Sequence, residues 1–293
     1  MSNHKAITII KANTDHGVHV NGASQGPTTI VQAWSPTYPL IDIPTPTTPK
    51  STAAGDKAKN LTAVNDFNRQ LFAHAQEVLA AGHHPLTLGG DHSLAIGSAL
   101  GSCHHHGPMG IIWIDAHTDY HTAATTISGN LHGWPLAAIT GQPDTQVLTP
   151  FAHNFIDSHQ AVIIGARDVE TPEWDNLRRG EVKVYTDNDC QQQELTTIAA
   201  RALERATARH TTPIHLSIDL DVINPEIAPG VSVPAVGGLT VSQVITLVTT
   251  LLQNCDQIVS IDLVEYNPSR DVQQKTLSIA LQILETIEQN WQI

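Results

Sequence analysis

Cysteine is scarce in this sequence, which limits the kinds of cross-link and metal site it can form. The 293 residues include three cysteines, Cys103, Cys190 and Cys255, which lie far apart without a Cys-x-x-Cys pair. Such spacing indicates neither a disulfide framework nor a zinc-thiolate knuckle. A reducing, cytoplasmic compartment is therefore expected.

Positive charge and long hydrophobic runs are also in short supply. Lys and Arg number 15 against 28 Asp and Glu, which gives a net charge of -13. This balance disfavours binding to nucleic-acid phosphates or to an anionic membrane surface. No segment reaches the apolar length needed to span a bilayer, and the N-terminal apolar patch is too short for a signal peptide. We expect no nucleic-acid or membrane partner, and a small cationic substrate would be attracted instead.

Short apolar runs alternate with helical stretches, the pattern of a parallel sheet flanked by helices. The runs predict strands over 6–10, 85–88, 110–114, 161–164, 182–185, 214–218 and 257–263. The predicted helices cover 61–81, 93–102, 172–179, 194–210, 241–252 and 272–292. The proline- and threonine-rich stretch 36–50 is interpreted as an irregular connection. Length allows one or two α/β domains, and we expect a single domain over residues 1–293.

Acidic and histidine residues follow several of these runs immediately. GGDHS at 89–93 contains His92, DAHTD at 115–119 follows the run 110–114, and DLD at 219–221 follows the run 214–218. Ligands bind beyond the carboxyl ends of the strands in open α/β sheets, so these clusters are candidates for one shared site. If the backbone stays extended, alternation directs the polar side chains of each cluster to one side. The candidates are His92, Asp115, His117, Asp119, Asp219 and Asp221.

A single Asp-x-Asp is more often a solvated turn or a helix N-cap, and a lone histidine is more often a packing residue. Several such clusters at strand ends change this balance, because four buried carboxylates need cations to neutralise them. A set of four Asp and two His without a thiolate suits Mn(II) better than structural zinc. Two such ions activate water, which predicts hydrolysis.

The three clusters resemble the motifs of the ureohydrolase family of arginases, agmatinases and formimidoylglutamases, with arginase-like members the most similar. SGNLHG at 128–133, PAVGGL at 234–239 and Glu265 followed by Tyr-Asn-Pro extend the resemblance from about residue 85 to residue 268. It implies a three-layer α/β/α fold with a mainly parallel sheet, two Mn(2+) per chain, and a homotrimer or homohexamer. The implied substrate is a small guanidino compound.

The resemblance also assigns roles to individual residues. One ion would be held by His92, Asp115, Asp119 and Asp219, and the other by Asp115, His117, Asp219 and Asp221. Asp119 would in addition hydrogen-bond the bridging hydroxide, Glu265 would bind the guanidinium, and His132 would carry a proton to the leaving amine. The competing interpretations are an exposed or capping His132 and a structural ion pair at Glu265.

The segments expected to bind the rest of the substrate match arginases in part. Thr126 and Ser128 match, whereas His121 stands where arginases have asparagine. Asp168 matches, and Glu170 replaces an aspartate in the segment that contacts the substrate amino group. Val233 occupies a position where arginases have threonine. We rank cleavage of L-arginine to ornithine and urea first, ahead of agmatine, formimidoylglutamate and other guanidino acids.

Two other classes of protein stay open at this point. The first is a catalytically inactive metal-binding protein of the same fold, which the complete ligand set argues against. The second is a deacetylase with a single zinc ion, which gives no reason for two clusters of paired carboxylates. The histidine-rich run 103–106 and the pair His83 and His84 are interpreted as solvated loops, although Cys and His also invite a metal.

Overall fold

The fold is built on one continuous parallel sheet. The computed structural model describes residues 6–51, 53, 55–207 and 212–291. The strands are β1 (Ile7–Ala12), β2 (Leu40–Ile43), β3 (His84–Gly89), β4 (Gly110–Ile114), β5 (Ala161–Ala166), β6 (Lys183–Thr186), β7 (Ile214–Asp219) and β8 (Ile258–Val264). They are ordered β2-β1-β3-β8-β7-β4-β5-β6, and each adjacent pair is parallel.

Helices cover both faces of the sheet. In the described residues they are α1 (Gly26–Trp34), α2 (Leu61–Ala80), α3 (Ala95–His106), α4 (Pro135–Ile139), α5 (Thr171–Arg179), α6 (Asp187–Gln192), α7 (Leu195–Thr207), α8 (Val241–Gln253) and α9 (Lys275–Asn290). Residues of α3 and α4 belong to the apolar cluster on one face, and residues of α7, α8 and α9 to the cluster on the other. The three-layer α/β/α architecture is thereby confirmed.

The strand β4 shows why the sheet needs cover on both faces. All five of its residues are buried. Ile112 and Ile114 belong to one apolar cluster, whereas Ile111 and Trp113 belong to the other. Because successive side chains of a strand point to opposite faces, a continuous apolar run is stable only between two helical layers. No helix within the described ranges has the length and apolar character needed to cross a membrane.

The seven predicted strands are present with ends within two residues of their predicted positions. The six predicted helices are also present, although residues 208–210 and 292 of two of them lie outside the described residues. Sequence reasoning missed α1, α4 and α6. These helices are short, at nine, five and six residues, so the apolar period repeats too few times to stand out.

Three predictions about irregular segments need correction. The stretch 36–50 contains β2, an edge strand formed by pairing with β1 although prolines flank it. The run 103–106 is the last turn of α3, in which Cys103 is buried, so it is not a solvated loop. His84 likewise begins β3, and His83 Nδ1 lies 2.8 Å from Thr8 Oγ1. Tertiary contacts stabilise all three segments more strongly than local sequence preference suggests.

Candidate metal centre and active site

Four adjacent strands at the middle of the sheet end where the predicted clusters begin. In spatial order these are β3, β8, β7 and β4. His92, Glu265 and Asp115 follow β3, β8 and β4, and Asp219 is the last residue of β7. Since the strands are parallel, their carboxyl ends meet at one edge of the sheet. Clusters far apart in the sequence therefore come together there.

The turn after β3 depends on a close approach of two backbone segments. A Cβ atom on Gly90 would lie 1.7 Å from the carbonyl oxygen of Thr14, so only glycine fits. Asp91 then accepts hydrogen bonds from the backbone N–H groups of Ser93 and Gly17, each at 3.0 Å. These contacts fix the position from which the next residue, His92, enters the site.

His92 directs Nδ1 towards three carboxylates. This nitrogen lies 3.1 Å from Asp115 Oδ2, 3.3 Å from Asp119 Oδ2 and 3.0 Å from Asp219 Oδ2. The opposite nitrogen, Nε2, lies 2.8 Å from Ser217 Oγ. The ring also stacks on Trp113 at a centroid distance of 3.9 Å and an interplanar angle of 7°. Both contacts hold the imidazole in the orientation that a metal ligand needs.

His117 forms a second group with the remaining carboxylates. Its Nδ1 lies 2.9 Å from Asp221 Oδ2 and 3.5 Å from Asp115 Oδ1. Asp115 therefore presents one oxygen to His92 and the other to His117. A carboxylate shared in this way is suited to bridging two ions.

The clusters do not converge by extended alternation, and that expectation is wrong. The chain bends at Ala116 and His117, and Asp119 has φ of 50°. Asp221 lies in a short 3-10 turn, 220–222, rather than in a strand. Glu265 also has positive φ, at 67°. Left-handed backbone is unfavourable for residues other than glycine, and its occurrence at two site carboxylates fits a place where function outweighs local strain.

Burial and crowding alter the acidity of the carboxylates. Burial, together with the charge of Asp115, raises the pKa of Asp119 well above its ordinary value. Burial also raises the pKa of Asp219 well above its ordinary value, and Asp221 and Asp115 reinforce this effect. Burial would raise the pKa of Asp115 too, but the adjacent imidazoles of His117 and His92 outweigh it and lower the pKa.

The imidazoles respond in the opposite sense to burial. Burial would lower the pKa of His117, yet Asp221 and Asp115 outweigh it and raise the pKa well above its ordinary value. The pKa of His92 is raised in the same way, because Asp115 and Asp119 outweigh the effect of burial. Without metal, the raised pKa values of these carboxylates and imidazoles favour proton binding in the cluster, which offsets part of its negative charge.

The positions of these side chains suit the binding of divalent cations better than direct hydrogen bonding between the side chains. Nδ1 of His92 is buried and makes no hydrogen bond, although three carboxylate oxygens surround it. The structure contains two triads, within each of which the ligand atoms lie within 4.8 Å of one another, and Asp115 belongs to both. The triads are His92 with Asp115 and Asp119, and His117 with Asp115 and Asp221. Hard carboxylate oxygens with one imidazole in each triad suit an ion such as Mn(II).

Glu265 and His132 lie beside this cluster. Glu265 Oε1 accepts the backbone N–H of His92 at 2.9 Å and lies 3.3 Å from Nδ1 of His132. Its other oxygen, Oε2, is buried without a hydrogen-bond partner. Burial would raise the pKa of Glu265, but His132 outweighs it and the pKa is lowered. A charged carboxylate with one unused oxygen is suited to binding a cationic group.

A cavity of about 250 Å³ opens from the cluster to the surface. We call the six predicted ligands together with Glu265 the floor; of these, His117 and Asp119 line the cavity itself. We call the rest of the cavity lining, apart from His132, the mouth. The residues of the mouth are His19, His121, Ser128, Asn130, Gly133, Asp168, Glu170, Glu173 and Val233, with His132 between the mouth and the floor. Four of the five predicted substrate-binding residues are among them. The fifth, Thr126, is buried behind this wall and accepts the backbone N–H of Gly129 at 3.0 Å.

His121 faces the acidic side of the mouth. Its Nε2 lies 3.3 Å from Glu173 Oε2 and 3.9 Å from Glu170 Oε2. Glu173 is also held by the Thr118 hydroxyl at 2.6 Å and by the backbone N–H of Glu170 at 3.1 Å. The buried oxygen Oε2 of Glu170 has no hydrogen-bond partner. Glu170 can therefore accept a hydrogen bond from a cationic group. Both carboxylate oxygens of Glu173, by contrast, already accept hydrogen bonds from neighbouring residues.

Sequence reasoning did not find His19, Asn130 and Glu173 as residues of the mouth. His19 belongs to a loop after β1 that carries no motif of its own, and only the folded chain brings it to Asn130. Glu173 could have been noticed, because an acidic residue three positions after Glu170 is the signature of a helix N-terminal capping box. Ser217 and Trp113, which orient His92, occupy inward-facing positions of β7 and β4 that also look like ordinary core.

Carboxylates and imidazoles gathered at the carboxyl edge of a parallel α/β sheet are typical of a metal-dependent hydrolase. A sequence profile of the arginase family matches residues 5–288. The arginase of Bacillus caldovelox is 34% identical over 292 residues, which cover 96% of this chain and 97% of that protein. The crystal structure of arginase from Bacillus subtilis has a TM-score of 0.85 at 32% identity, covering 97% of this chain and 98% of that one.

A formimidoylglutamase structure from Bacillus subtilis subsp. subtilis str. 168 has a TM-score of 0.79 at 20% identity, covering 98% of this chain and 87% of that one. That likeness shows the fold alone. The family profile and the arginases cover nearly the whole chain at higher identity. This chain therefore belongs to the arginase family. It is a hydrolase that acts on the C–N bonds of linear amidines, in a family that depends on metal ions.

Proposed function

We propose that the protein is a binuclear manganese hydrolase whose preferred substrate is L-arginine, which it cleaves to ornithine and urea. The observation that carries this proposal is the convergence of two imidazoles and four carboxylates, with Asp115 shared between two triads. Similarity to bacterial arginases over nearly the whole chain supports the same activity.

Six side chains would hold the metal. His92, Asp115, Asp119 and Asp219 would ligate one ion, and Asp115, His117, Asp219 and Asp221 the other. When bound, such a pair of ions supplies an activated water nucleophile and polarises the electrophile. Ser217 and Trp113 would keep His92 oriented by the contacts described above, which is the usual role of residues behind a ligand.

Glu265 and His132 would act on the substrate. The unused oxygen of Glu265 would pair with the guanidinium and orient its central carbon. Cleavage of a C–N bond requires protonation of a poor leaving group, and His132 would deliver that proton to the departing amine. Asp119, which also faces the cavity, would accept a hydrogen bond from the nucleophile.

The mouth supports an amino-acid substrate, although it differs from the arginase pattern at three positions. His121, Glu170 and Val233 line it in place of asparagine, aspartate and threonine. Agmatine, formimidoylglutamate and other guanidino acids are the alternative substrates. Membership of the arginase family argues against the alternatives of a different class, a catalytically inactive metal-binding protein and a single-zinc deacetylase.

The remaining properties belong to the same proposal. We propose that residues 1–293 form a single domain, that the protein is cytoplasmic, and that it assembles as a homotrimer or homohexamer. Light scattering of the purified protein would test the assembly directly. A monomer would contradict it.

The experiment combines metal counting with product analysis. Elemental analysis of the Mn(II)-loaded protein should find two ions per chain; one ion would favour the deacetylase class. Urea release is then measured from L-arginine, agmatine and 4-guanidinobutanoate, with formamide release from formimidoylglutamate in parallel. We expect turnover of L-arginine. Turnover of another compound alone would overturn the substrate, and two ions without any turnover would indicate an inactive relative.

A further inference from the structure

The mouth of the cavity has two chemically different sides. Asp168 and Glu170 contribute carboxylates to one side. His19, Ser128 and Asn130 contribute an imidazole, a hydroxyl and an amide. Because the second group includes hydrogen-bond donors and no carboxylate, it is suited to an anionic group.

The hydrogen bond of His19 defines which ring nitrogen can serve a ligand. Nδ1 of His19 lies 2.9 Å from Nδ2 of Asn130. An amide nitrogen can only donate, so Nδ1 is the acceptor and the proton of the neutral ring is on Nε2. The imidazole therefore offers an N–H donor on the side away from Asn130.

Charge around His19 favours the same assignment. Burial lowers the pKa of His19, and the positive charges of His132, Lys59, Arg270 and Lys50 lower it further. The lowered pKa favours the neutral ring, whose Nδ1 can accept the hydrogen bond from Asn130. The same cations make this side of the mouth attractive to an anion, although the chain as a whole is acidic.

The loop that carries His19 is fixed in place. Asp15 pairs with Lys50 at 3.0 Å and accepts the backbone N–H of Gly22 at 2.9 Å. Lys50 also donates to the carbonyl of Val20 at 2.9 Å. Gly17, in the same loop, accepts the backbone N–H of His132 at 3.1 Å. A donor held this firmly needs little ordering when a ligand binds.

We propose that His19 is a specificity-determining residue that donates Nε2–H to a carboxylate of the substrate, with the Ser128 hydroxyl as a second donor. A neighbouring ammonium group of the substrate would pair with Glu170. The inference rests on the proposed function and sharpens it, because it selects guanidino compounds that carry a carboxylate at the end remote from the guanidinium. Agmatine, which has none, leaves these donors without a partner.

The test compares two substitutions of His19 that separate its two nitrogens. Asparagine can place an acceptor where Nδ1 was but has no donor at the Nε2 position, whereas glutamine can place an amide N–H there. With the Mn(II)-loaded enzyme, His19→Asn should raise KM for L-arginine about tenfold, since a hydrogen bond to a charged group is lost. We expect kcat, and KM for agmatine, to stay within about twofold, because the lost bond is not made to the guanidinium. In His19→Gln, KM for L-arginine should return most of the way to the value of the unsubstituted enzyme.

The control is His159→Asn, since His159 is exposed and pairs with Asp157 and Glu181. This control substitution should leave kcat and KM unchanged for both L-arginine and agmatine. An equal rise in KM for L-arginine and agmatine in His19→Asn would show that His19 only supports the loop and would overturn the inference. No change for either substrate would overturn it as well.

A binding measurement separates this inference from the proposed function. Calorimetry of the Mn(II)-loaded protein compares L-ornithine with putrescine, which lacks the carboxylate. Tighter binding of ornithine that His19→Asn abolishes supports the role of His19, and equal binding of the two amines by the unsubstituted protein overturns it. Absence of urea release from every guanidino compound would instead count against the proposed function.

Discussion

The floor and the mouth of the cavity are built in different ways. Floor residues stand at or just after the ends of β3, β4, β7 and β8 and are almost fully buried, apart from the partly exposed His117. Mouth residues belong to loops and turns, apart from Glu173 in the first turn of α5. The side chains of Asp168 and Glu170 are 65% and 42% exposed. A rigid sheet edge can hold a dense group of charges, whereas loops can vary in sequence without disturbing it. We therefore expect reaction type to depend on the floor and substrate choice to depend on the mouth.

The largest effect is expected from Asp219→Ala in the floor. This change removes a carboxylate next to His92 and leaves that imidazole with fewer partners. We expect loss of bound manganese and a decrease in kcat/KM of about a thousandfold or more, because the activated water depends on the metal. Elemental analysis and urea release measure both. The exposed Asp66→Ala is the control, and retention of two ions in Asp219→Ala would contradict the assigned ligand set.

The second effect concerns a buried polar layer beneath the floor. His215 Nε2 lies 3.0 Å from Asp262 Oδ2, and the Ser98 hydroxyl donates to the same carboxylate. Asp262→Leu leaves the buried His215 without the carboxylate that it contacts, so we expect the free energy of unfolding to fall by about 3 kcal/mol. Urea denaturation measures it.

The matched change in the mouth is Asp168→Ala, where the side chain is largely exposed. It should alter the free energy of unfolding by less than about 0.5 kcal/mol. Similar losses for Asp262→Leu and Asp168→Ala would remove the difference in packing between the two regions.

The third effect is on stability as a function of pH. Without metal, the raised pKa values of Asp119 and Asp219 contribute stability below the ordinary value of 3.8 that is lost as pH rises through the folded pKa. The raised pKa values of His92 and His117 contribute stability below 6.5 that is lost in the same direction. All four shifts predict a metal-free protein that weakens as pH rises from about 6 to about 8.5.

Manganese requires the deprotonated ligands, so its stabilisation should increase over the same range. Thermal unfolding with and without Mn(II) at both pH values measures this difference. A constant increase in Tm would indicate that the floor residues do not exchange protons for metal. A matched titration with Asp219→Ala should show little dependence on manganese.

The smallest effect is expected from Val233→Thr in the mouth. It adds a hydroxyl to the cavity wall without changing charge, so KM for L-arginine should shift by about fivefold or less with kcat unchanged. Steady-state kinetics measures both constants. A large change in kcat would show that the mouth takes part in the chemical step, and the separation drawn above would fail.

Much of the floor could be predicted from the sequence because its residues follow apolar runs that are recognisable as strands. Asp115 and Asp219 are examples: each adjoins a buried strand, so its position at the sheet edge follows from the strand itself. His19 could not be predicted, because nothing in its local sequence indicates contact with Asn130, 111 residues away. The edge strand β2 was missed for a related reason, since its pairing with β1 is not visible in a proline-rich segment.

The sequence by itself determined the alternation of strands and helices, the polar clusters after the strands and the kinds of ligand they offer, because these depend on short periodic patterns and on side-chain chemistry. The tertiary structure alone decided that β7 and β8 lie between β3 and β4, which brings His92 beside Asp219. It also decided the left-handed backbone at Asp119 and Glu265 and the pairing of His19 with Asn130. These features depend on the order of the strands in space and on contacts between distant segments, which no local pattern encodes.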